Sequence, residues 1–346
     1  MTKQASVKTV LDLSLEELQN LVKGFGAKPF VAKQIFEWVY KKKVIDFDEM
    51  SNLSKEHREK LKQLIPVVPF VNVEVLPSKD RLATKYIFEL EGHQFIEAVV
   101  LVEKTYKTLC ISSQSGCPVD CKFCLTGYAG FKKQLSLGEI LGQLLYVMND
   151  GHAITHLVYM GMGEPLLNVE SVYASIERIT AEDGFYISRR NITVSTAGYI
   201  QGIKYLMDQE IAINLAFSVG NPNPEKRIHL MPIEERNPIN EVSRVLSQYL
   251  KQHNRKLTLE YTLLEGENDG DDELEELGNL AKYLNAKVNL INLNPHPKIP
   301  YKPVSSKALK TFKQRLAGRG VRVTIRYTKG QDIVAACGQL GESLLK

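Results

Sequence analysis

Four of the five cysteines fall within one stretch, CISSQSGCPVDCKFC, running from Cys110 to Cys124 with the spacing C-x6-C-x3-C-x2-C. In a reducing compartment, thiols this close together are metal ligands or redox groups more often than structural disulfides. Cys117, Cys121 and Cys124 form the tight subset, C-x3-C-x2-C. A structural zinc site usually takes four N/S ligands from paired C-x2-C or His-containing spacings. No second such pair exists here, and Cys337 lies far along the chain. A [4Fe–4S] cluster also takes four thiolates. Three local cysteines would leave one iron without a protein ligand, open to a substrate or cofactor. Cys110 and Cys337 each read, on their own, as small buried hydrophobes. The apolar strand pattern TLCISS favours that for Cys110, whereas the AACGQL surroundings of Cys337 give less reason for burial.

Other residue types suited to chemistry recur at one kind of place. GMGEP (161–165), STAG (195–198), SVGN (218–221) and NPHP (294–297) each follow an apolar strand candidate. In parallel β/α folds the carboxyl ends of the strands build the site, so these segments and the cysteine loop point to one shared end. Glu97, in FIEAVV, is flanked by apolar residues. It is either an outward strand residue or a desolvated carboxylate with its pKa raised toward general-base range.

Three kinds of periodicity must position these groups. Residues 1–68 read as a helical accessory domain. Ser14-Leu-Glu-Glu17 is a capping box, Leu15, Leu18, Leu21 and Val22 follow at helical spacing, and a second helix should run to Lys41-Lys42-Lys43. Residues 69–106 switch to period two. VNVEVL, RLATKYIFEL and HQFIEAVVLV predict a small antiparallel meander with a tight turn at Glu91-Gly92. From residue 107 to 346, apolar strands (TLCISS, ITHLVYM, NITVST, IAINLAFS, KLTLEYTLL, AKVNLINL, VRVTIRY) alternate with amphipathic helices near 170–181, 199–209, 239–252, 272–284 and 305–318. A further helix is opened by the capping box Ser136-Leu-Gly-Glu139. The alternation predicts an α/β fold with a parallel sheet, either an open doubly wound sheet or a barrel.

The 346 residues are 44% hydrophobic, with a formal net charge of +4. That mild basicity permits an acidic partner such as RNA without demanding one. Residues 1–62 hold most of the excess, which fits a nucleic-acid-facing domain. The N-terminus has no apolar run of the signal-peptide kind, and no stretch is apolar and long enough to span a bilayer. A cytoplasmic monomer is expected.

CPVDCKFC resembles the signature of the radical S-adenosylmethionine superfamily, and GMGEP resembles that superfamily's GGEP element. SSQSGCPVDCKFCLTG, GMGEPLLN, NITVSTAG, LMPI, NPHP and DIVAACGQL together resemble the RlmN/Cfr family of RNA adenosine methyltransferases. KPFVAKQIFEWVYKK and FDEMSNLSK extend the likeness over nearly the whole chain. The resemblance implies a partial (β/α)6 barrel with an N-terminal helical domain and a small β extension. It implies a [4Fe–4S] cluster on Cys117, Cys121 and Cys124, and S-adenosylmethionine bound at the open iron. Gly163, Glu164, Ser195, Ser218, Val219, Gly220 and Asn294 match the family's cofactor contacts. Ser218-Val219-Gly220 departs from the usual Ser-Leu-His or Ser-Leu-Asn, with Asn221 as a possible substitute. Cys337 matches the cysteine that carries a methyl group, Cys110 its disulfide-forming partner, and Glu97 the proton acceptor. Two S-adenosylmethionines are consumed per turnover, with an electron donor such as flavodoxin or ferredoxin. The implied substrates are an adenosine of 23S rRNA and the adenosine beside the tRNA anticodon, methylated at C2. C8 methylation, a radical enzyme acting on another substrate, and a non-catalytic metal-bound RNA-binding module are the alternatives. Lys41–Lys43, Lys132-Lys133 and Arg189-Arg190 are candidate phosphate contacts.

Overall fold

The computed structural model describes residues 7–210 and 212–345; residues 1–6 of the accessory segment, Ile211 at the head of IAINLAFS, and Lys346 lie outside the described residues. The period-two stretches become an antiparallel meander: β1 (Asn72–Pro77), β2 (Ala83–Leu90) and β3 (Gln94–Val102), with the expected turn after Leu90. β3 also pairs antiparallel with β4 (Lys107–Cys110). A two-stranded ribbon, β5 (Gln114–Ser115) and β6 (Lys133–Gln134), brackets the cysteine loop. Beyond β4 every neighbour in the main sheet is parallel: β7 (His156–Tyr159), β8 (Ile192–Thr196), β9 (Asn214–Ser218), β10 (Leu257–Leu263), β11 (Lys287–Asn292) and β12 (Val323–Arg326).

The ten strands of this sheet lie side by side in chain order. The helices are α1 (Leu15–Gly24), α2 (Phe30–Phe36), α3 (Lys55–Leu64), α4 (Leu125–Tyr128), α5 (Leu137–Asn149), α6 (Val169–Thr180), α7 (Ile200–Met207), α8 (Pro224–Leu230), α9 (Ile239–His253), α10 (Asp271–Tyr283) and α11 (Ser306–Gly318). α5, α6, α7, α9, α10 and α11 each connect one parallel strand to the next. Sequential order with a helix at every step is the layout of a β/α barrel. The row ends at β12 among the described residues, which makes the barrel partial.

Local chemistry accounts for the helix starts. Ser14 and Glu17, and Ser136 and Glu139, exchange the two reciprocal hydrogen bonds of a capping box. The second helix differs from expectation. It is α-helical only to Phe36 and continues as a wider π turn from Glu37 to Lys41, with Lys42 N donating to Glu37 O. Val39 and Tyr40 are buried within it, and the Tyr40 ring meets Phe36 edge-on. α8 was not anticipated, although Asn223 caps Glu225 N and Lys226 N and Pro224 opens the first turn, a legible start signal.

The N-terminal helices share one apolar core with the barrel. Tyr40 meets Phe185 edge-on at 5.2 Å, and Gly138 N donates to Asp12 Oδ1 at 2.7 Å. After β12 the chain folds back as a tail. Lys329 donates to Val102 O and pairs with Glu103, while Leu125 N and Thr126 Oγ1 hold Gly338 O and Leu340 O. The tail thereby joins the meander to the cysteine loop and carries Cys337 to the mouth of the barrel. Among the described residues, no helix is long and apolar enough to cross a membrane.

Candidate active site

One cavity opens at the carboxyl ends of the parallel strands. It is lined by Cys117, Cys121, Phe123 and Cys124 from the cysteine loop and by Gly163, Glu164, Ser195, Ser218 and Gly220 from the strand ends; Cys337 and Gly338 border it from the tail. The spacing places all three loop cysteines on the cavity wall. Burial pushes each thiol upward, and for Cys121 the ionised forms of Cys117 and Cys124 push further. Among the described residues, no three His, Cys, Asp or Glu side chains converge as a site for a metal ion. Three thiols lining one cavity could together hold a polyatomic cluster. A cationic cluster core would also offset the cost of ionising them there.

Glu164 is the most constrained acid in the cavity. Its Oε2 accepts from Ala197 N at 2.7 Å and its Oε1 from Leu166 N at 3.1 Å. Burial pushes its carboxyl up to about 7, opposed by the Ala197 amide, the Thr196 hydroxyl and the Leu166 amide. Gly163 sits at φ +100°, and a Cβ there would stand 2.6 Å from the Gln114 Cβ. The absent side chain lets Gln114 Oε1 accept from Glu164 N at 2.7 Å. A carboxylate so fixed beside an open cavity is suited to an ammonium ligand.

The departure at Ser218-Val219-Gly220 has a steric reason. Gly220 has φ +69°, and a Cβ there would lie 2.4 Å from Met231 Sδ. Met231 fills the space that a larger residue would occupy. Val219 faces the core, not the cavity, and meets the site through its carbonyl, which accepts from Arg227 Nε at 2.8 Å. Asn221 turns away as well, accepting from Asn223 N. Asn294 lines a second cavity, donating to Cys337 O at 3.0 Å and accepting from Thr328 Oγ1 at 2.8 Å.

The tail brings the two remaining cysteines toward each other, with Cys110 packed in one cluster with Ala335 and Leu340 on either side of Cys337 in the chain. Cys110 ends β4 and is buried; burial, then the charge of Cys337, pushes its thiol up to about 12. Both are free thiols. Arg326, at the end of β12, is held further toward its charged form by Cys337, then by Glu260 and Cys110. Glu260 and Thr262 also line the first cavity, and neither they nor Arg326 was singled out from sequence. A signal was present, because Thr258, Glu260 and Thr262 alternate with the buried Leu257, Leu259, Tyr261 and Leu263. Arg227 was also missed. It is fully buried, pairs with Glu234, and its Nη2 donates to Ala197 O, so it joins the loops after β8 and β9. Glu97 is fully buried and borders neither cavity. It pairs with Lys85 and accepts from two amides of the tail.

The basic candidates divide. Lys41 lies 5.7 Å from the Tyr186 ring, on the loop that leads to exposed Arg189 and Arg190, so two of the groups become neighbours. Lys42 packs over Trp38. Lys43 is used internally, donating to Tyr40 O, and burial followed by the charge of Lys41 lowers it to about 8. Lys133 pairs with Glu139, while Lys132 is exposed.

Residues 8–67 match the ribosomal RNA large subunit methyltransferase N-terminal domain, and residues 111–280 match the radical SAM superfamily. The chain is 41% identical over 333 residues to the probable dual-specificity RNA methyltransferase RlmN 2 of Protochlamydia amoebophila, covering 95% of this chain and 93% of that one. It is 38% identical over 337 residues to the probable dual-specificity RNA methyltransferase RlmN of Aquifex aeolicus, covering 96% of each. The crystal structure of a radical SAM methyltransferase from Sphaerobacter thermophilus superposes with a TM-score of 0.92 at 36% identity, covering 96% of this chain and 98% of that one. Glu97, Cys110, Asn294, Arg326 and Cys337 lie outside both matched domains but within this near-full-length similarity.

Proposed function

The chain belongs to the RlmN family of radical SAM RNA methyltransferases, and from that premise we propose that it methylates C2 of an adenosine in the peptidyl transferase centre of 23S rRNA and of the adenosine beside the tRNA anticodon. Membership implies a [4Fe–4S] cluster and S-adenosylmethionine. Cys117, Cys121 and Cys124 would hold the cluster, leaving one iron for the cofactor's amino acid moiety. Bound there, cluster and cofactor supply an electron, hydrogen-abstracting power and methyl groups, with two S-adenosylmethionines consumed per turnover.

The chain's own residues divide the remaining work. Glu164 receives the cofactor's ammonium, and Ser195 and Ser218 offer hydroxyls at the same wall. Cys337 Sγ accepts a methyl group; that methyl gives up one hydrogen atom, its carbon bonds to the adenine ring carbon to form a covalent RNA–protein adduct, and the adduct sheds one electron, which the cluster would take back, and one proton. The ring carbon's proton goes to a base, and Glu97 is the candidate that the resemblance names, although it is held by Lys85 and two tail amides and borders neither cavity. Cys110 Sγ then attacks the Cys337 sulfur, and the sulfur–carbon electron pair leaves with the new methyl carbon, which gains a proton. A Cys110–Cys337 disulfide remains, to be reduced before the next turnover. The helices of residues 7–65 act as the RNA-facing accessory domain. The enzyme works in the cytoplasm as a monomer, with a flavodoxin or ferredoxin as electron donor.

The observation that carries this reading is that Cys117, Cys121, Cys124, Glu164 and Cys337 border one cavity, while Cys110 packs in one cluster with Ala335 and Leu340 of the tail that carries Cys337. Mass spectrometry of 23S rRNA and tRNA from a deletion strain tests it. Wild-type complementation should restore 2-methyladenosine, and Cys337→Ala should not. Unchanged adenosine methylation in both RNAs would overturn the substrate assignment, and 8-methyladenosine in its place would overturn the carbon.

A further inference from the structure

Two buried charges beneath the tail hold it on both sides of Cys337. Lys85 on β2 is 1% exposed and Glu97 on β3 is 0% exposed. The register pairs Lys85 with Val99, two residues from Glu97, so both side chains lie on one face of the sheet. Lys85 Nζ stands 3.0 Å from Glu97 Oε2 and donates to Val334 O at 3.1 Å. Glu97 Oε2 accepts from Gly341 N at 3.1 Å, and Oε1 from Ser343 N at 3.0 Å. One grip therefore lies just before Cys337 in the chain, and two just after it.

Val334 adds a second reason to see a clamp. Its φ of +52° is a left-handed conformation, costly for a β-branched residue and kept only where the surroundings impose it. The Lys85 ammonium receives the carbonyl that this conformation presents. A buried ion pair seldom stabilises a fold more than apolar side chains of the same volume. What it supplies here is directional: a donor and two acceptor oxygens aimed at tail backbone, which an apolar pair lacks.

We propose that Lys85 is a positioning residue for Cys337, acting with Glu97 as a clamp that sets the tail. The clamped tail places Cys337 where it borders both cavities, the cofactor side with Glu164 and the second with Asn294 and Tyr327. A methyl carrier needs that place, since it must face its methyl donor and then its acceptor. The inference rests on the reading of Cys337 as that carrier.

The test uses the full chain with its cluster reconstituted, as Lys85→Met, Lys85→Arg and Lys85→Met/Glu97→Gln. The double variant keeps the buried site neutral should a lone Glu97 charge unfold the first. The readouts are peptide-resolved alkylation of Cys337 by iodoacetamide and hydrogen exchange across residues 338–345, neither of which needs RNA or turnover. With iron content unchanged, Cys337 should alkylate about tenfold faster in Lys85→Met and in the double variant, and Lys85→Arg should return the rate to within about threefold of wild type. In turnover, kcat of Lys85→Met should fall about tenfold while the KM for RNA holds within about twofold. Alkylation and exchange within about twofold of wild type in the variants that fold would overturn the clamp. So would failure of both Lys85→Met and the double variant to fold and keep iron, which would assign the pair to fold stability alone. Absent RNA methylation in wild type would instead overturn the functional reading and leave the alkylation result standing.

Discussion

A carboxyl group attracts an ammonium only when ionised, and Glu164 is pushed up to about 7 by burial. Below that pH the free enzyme carries a proton that binding must release. Affinity for S-adenosylmethionine should therefore climb from pH 6 and level off above 7, with a slope approaching about tenfold per pH unit on the acid side. Calorimetric titration of the reconstituted enzyme measures this, and Glu164→Gln should bind weakly with no such slope. A flat wild-type profile would remove Glu164 from the ammonium contact. Cys110 lies at the other extreme, pushed up to about 12. If its thiolate resolves the RNA adduct, decay of that adduct should speed up about tenfold per pH unit between 7 and 9. A plateau in that range would point to an ordinary, exposed thiol. Cys110→Ala should keep its iron and accumulate the adduct, visible as RNA-linked protein on a denaturing gel.

The cavity wall is made of loops, and loops after strands need ties. Arg227 is the tie between the loops following β8 and β9, through Ala197 O and Val219 O, with Glu234 neutralising its charge. Arg227→Met leaves the Glu234 carboxylate buried without its partner and two carbonyls without donors. Loss of one member of such a pair costs about 3–5 kcal/mol. Chemical denaturation should show that loss, together with a raised KM for S-adenosylmethionine, since Ser218 and Gly220 lie on the freed loop. Unaltered stability would mean that the guanidinium is replaceable by packing alone. The cysteine loop is tied differently, with Leu125, directly after the last cluster cysteine, donating to Gly338, directly after Cys337. The cysteine loop and the tail that bears Cys337 are thus adjacent through backbone.

Across the whole molecule, Lys41 comes to lie against the loop that carries the exposed Arg189 and Arg190. Lys41 donates to Glu182 O and approaches Tyr186, and Arg189 and Arg190 follow on the same loop. If this face receives RNA, affinity should fall with salt. Arg189→Ala with Arg190→Ala should flatten the log–log salt slope by about 1.4–1.8, at about 0.7–0.9 for each phosphate no longer neutralised. Filter binding of tRNA at several salt concentrations reads the slope, and reductive cleavage of S-adenosylmethionine without RNA should be unaffected. An unchanged slope would move the RNA face elsewhere.

Much of this protein was legible in the order of its residues. Local spacing determined the helix caps at Ser14 and Ser136, the meander, the alternation of strand and helix, and the grouping of Cys117, Cys121 and Cys124 on one loop. Each of these depends on neighbours a few residues apart. The same holds for the place of GMGEP just after a strand, whereas the close approach of Gln114 to Gly163 came only with the structure. The tertiary structure alone decided what depends on contacts between distant residues. It turned Lys43 inward and closed the space beside Gly220 with Met231. It recruited Glu260, Arg326 and Arg227 to the cavity region. It set Glu97 against Lys85 and the tail, away from both cavities. Burial and partnership over more than two hundred residues of separation, as between Glu97 and Gly341, have no periodicity to betray them. They exist only once the sheet has brought its first strands beneath the chain's last turn.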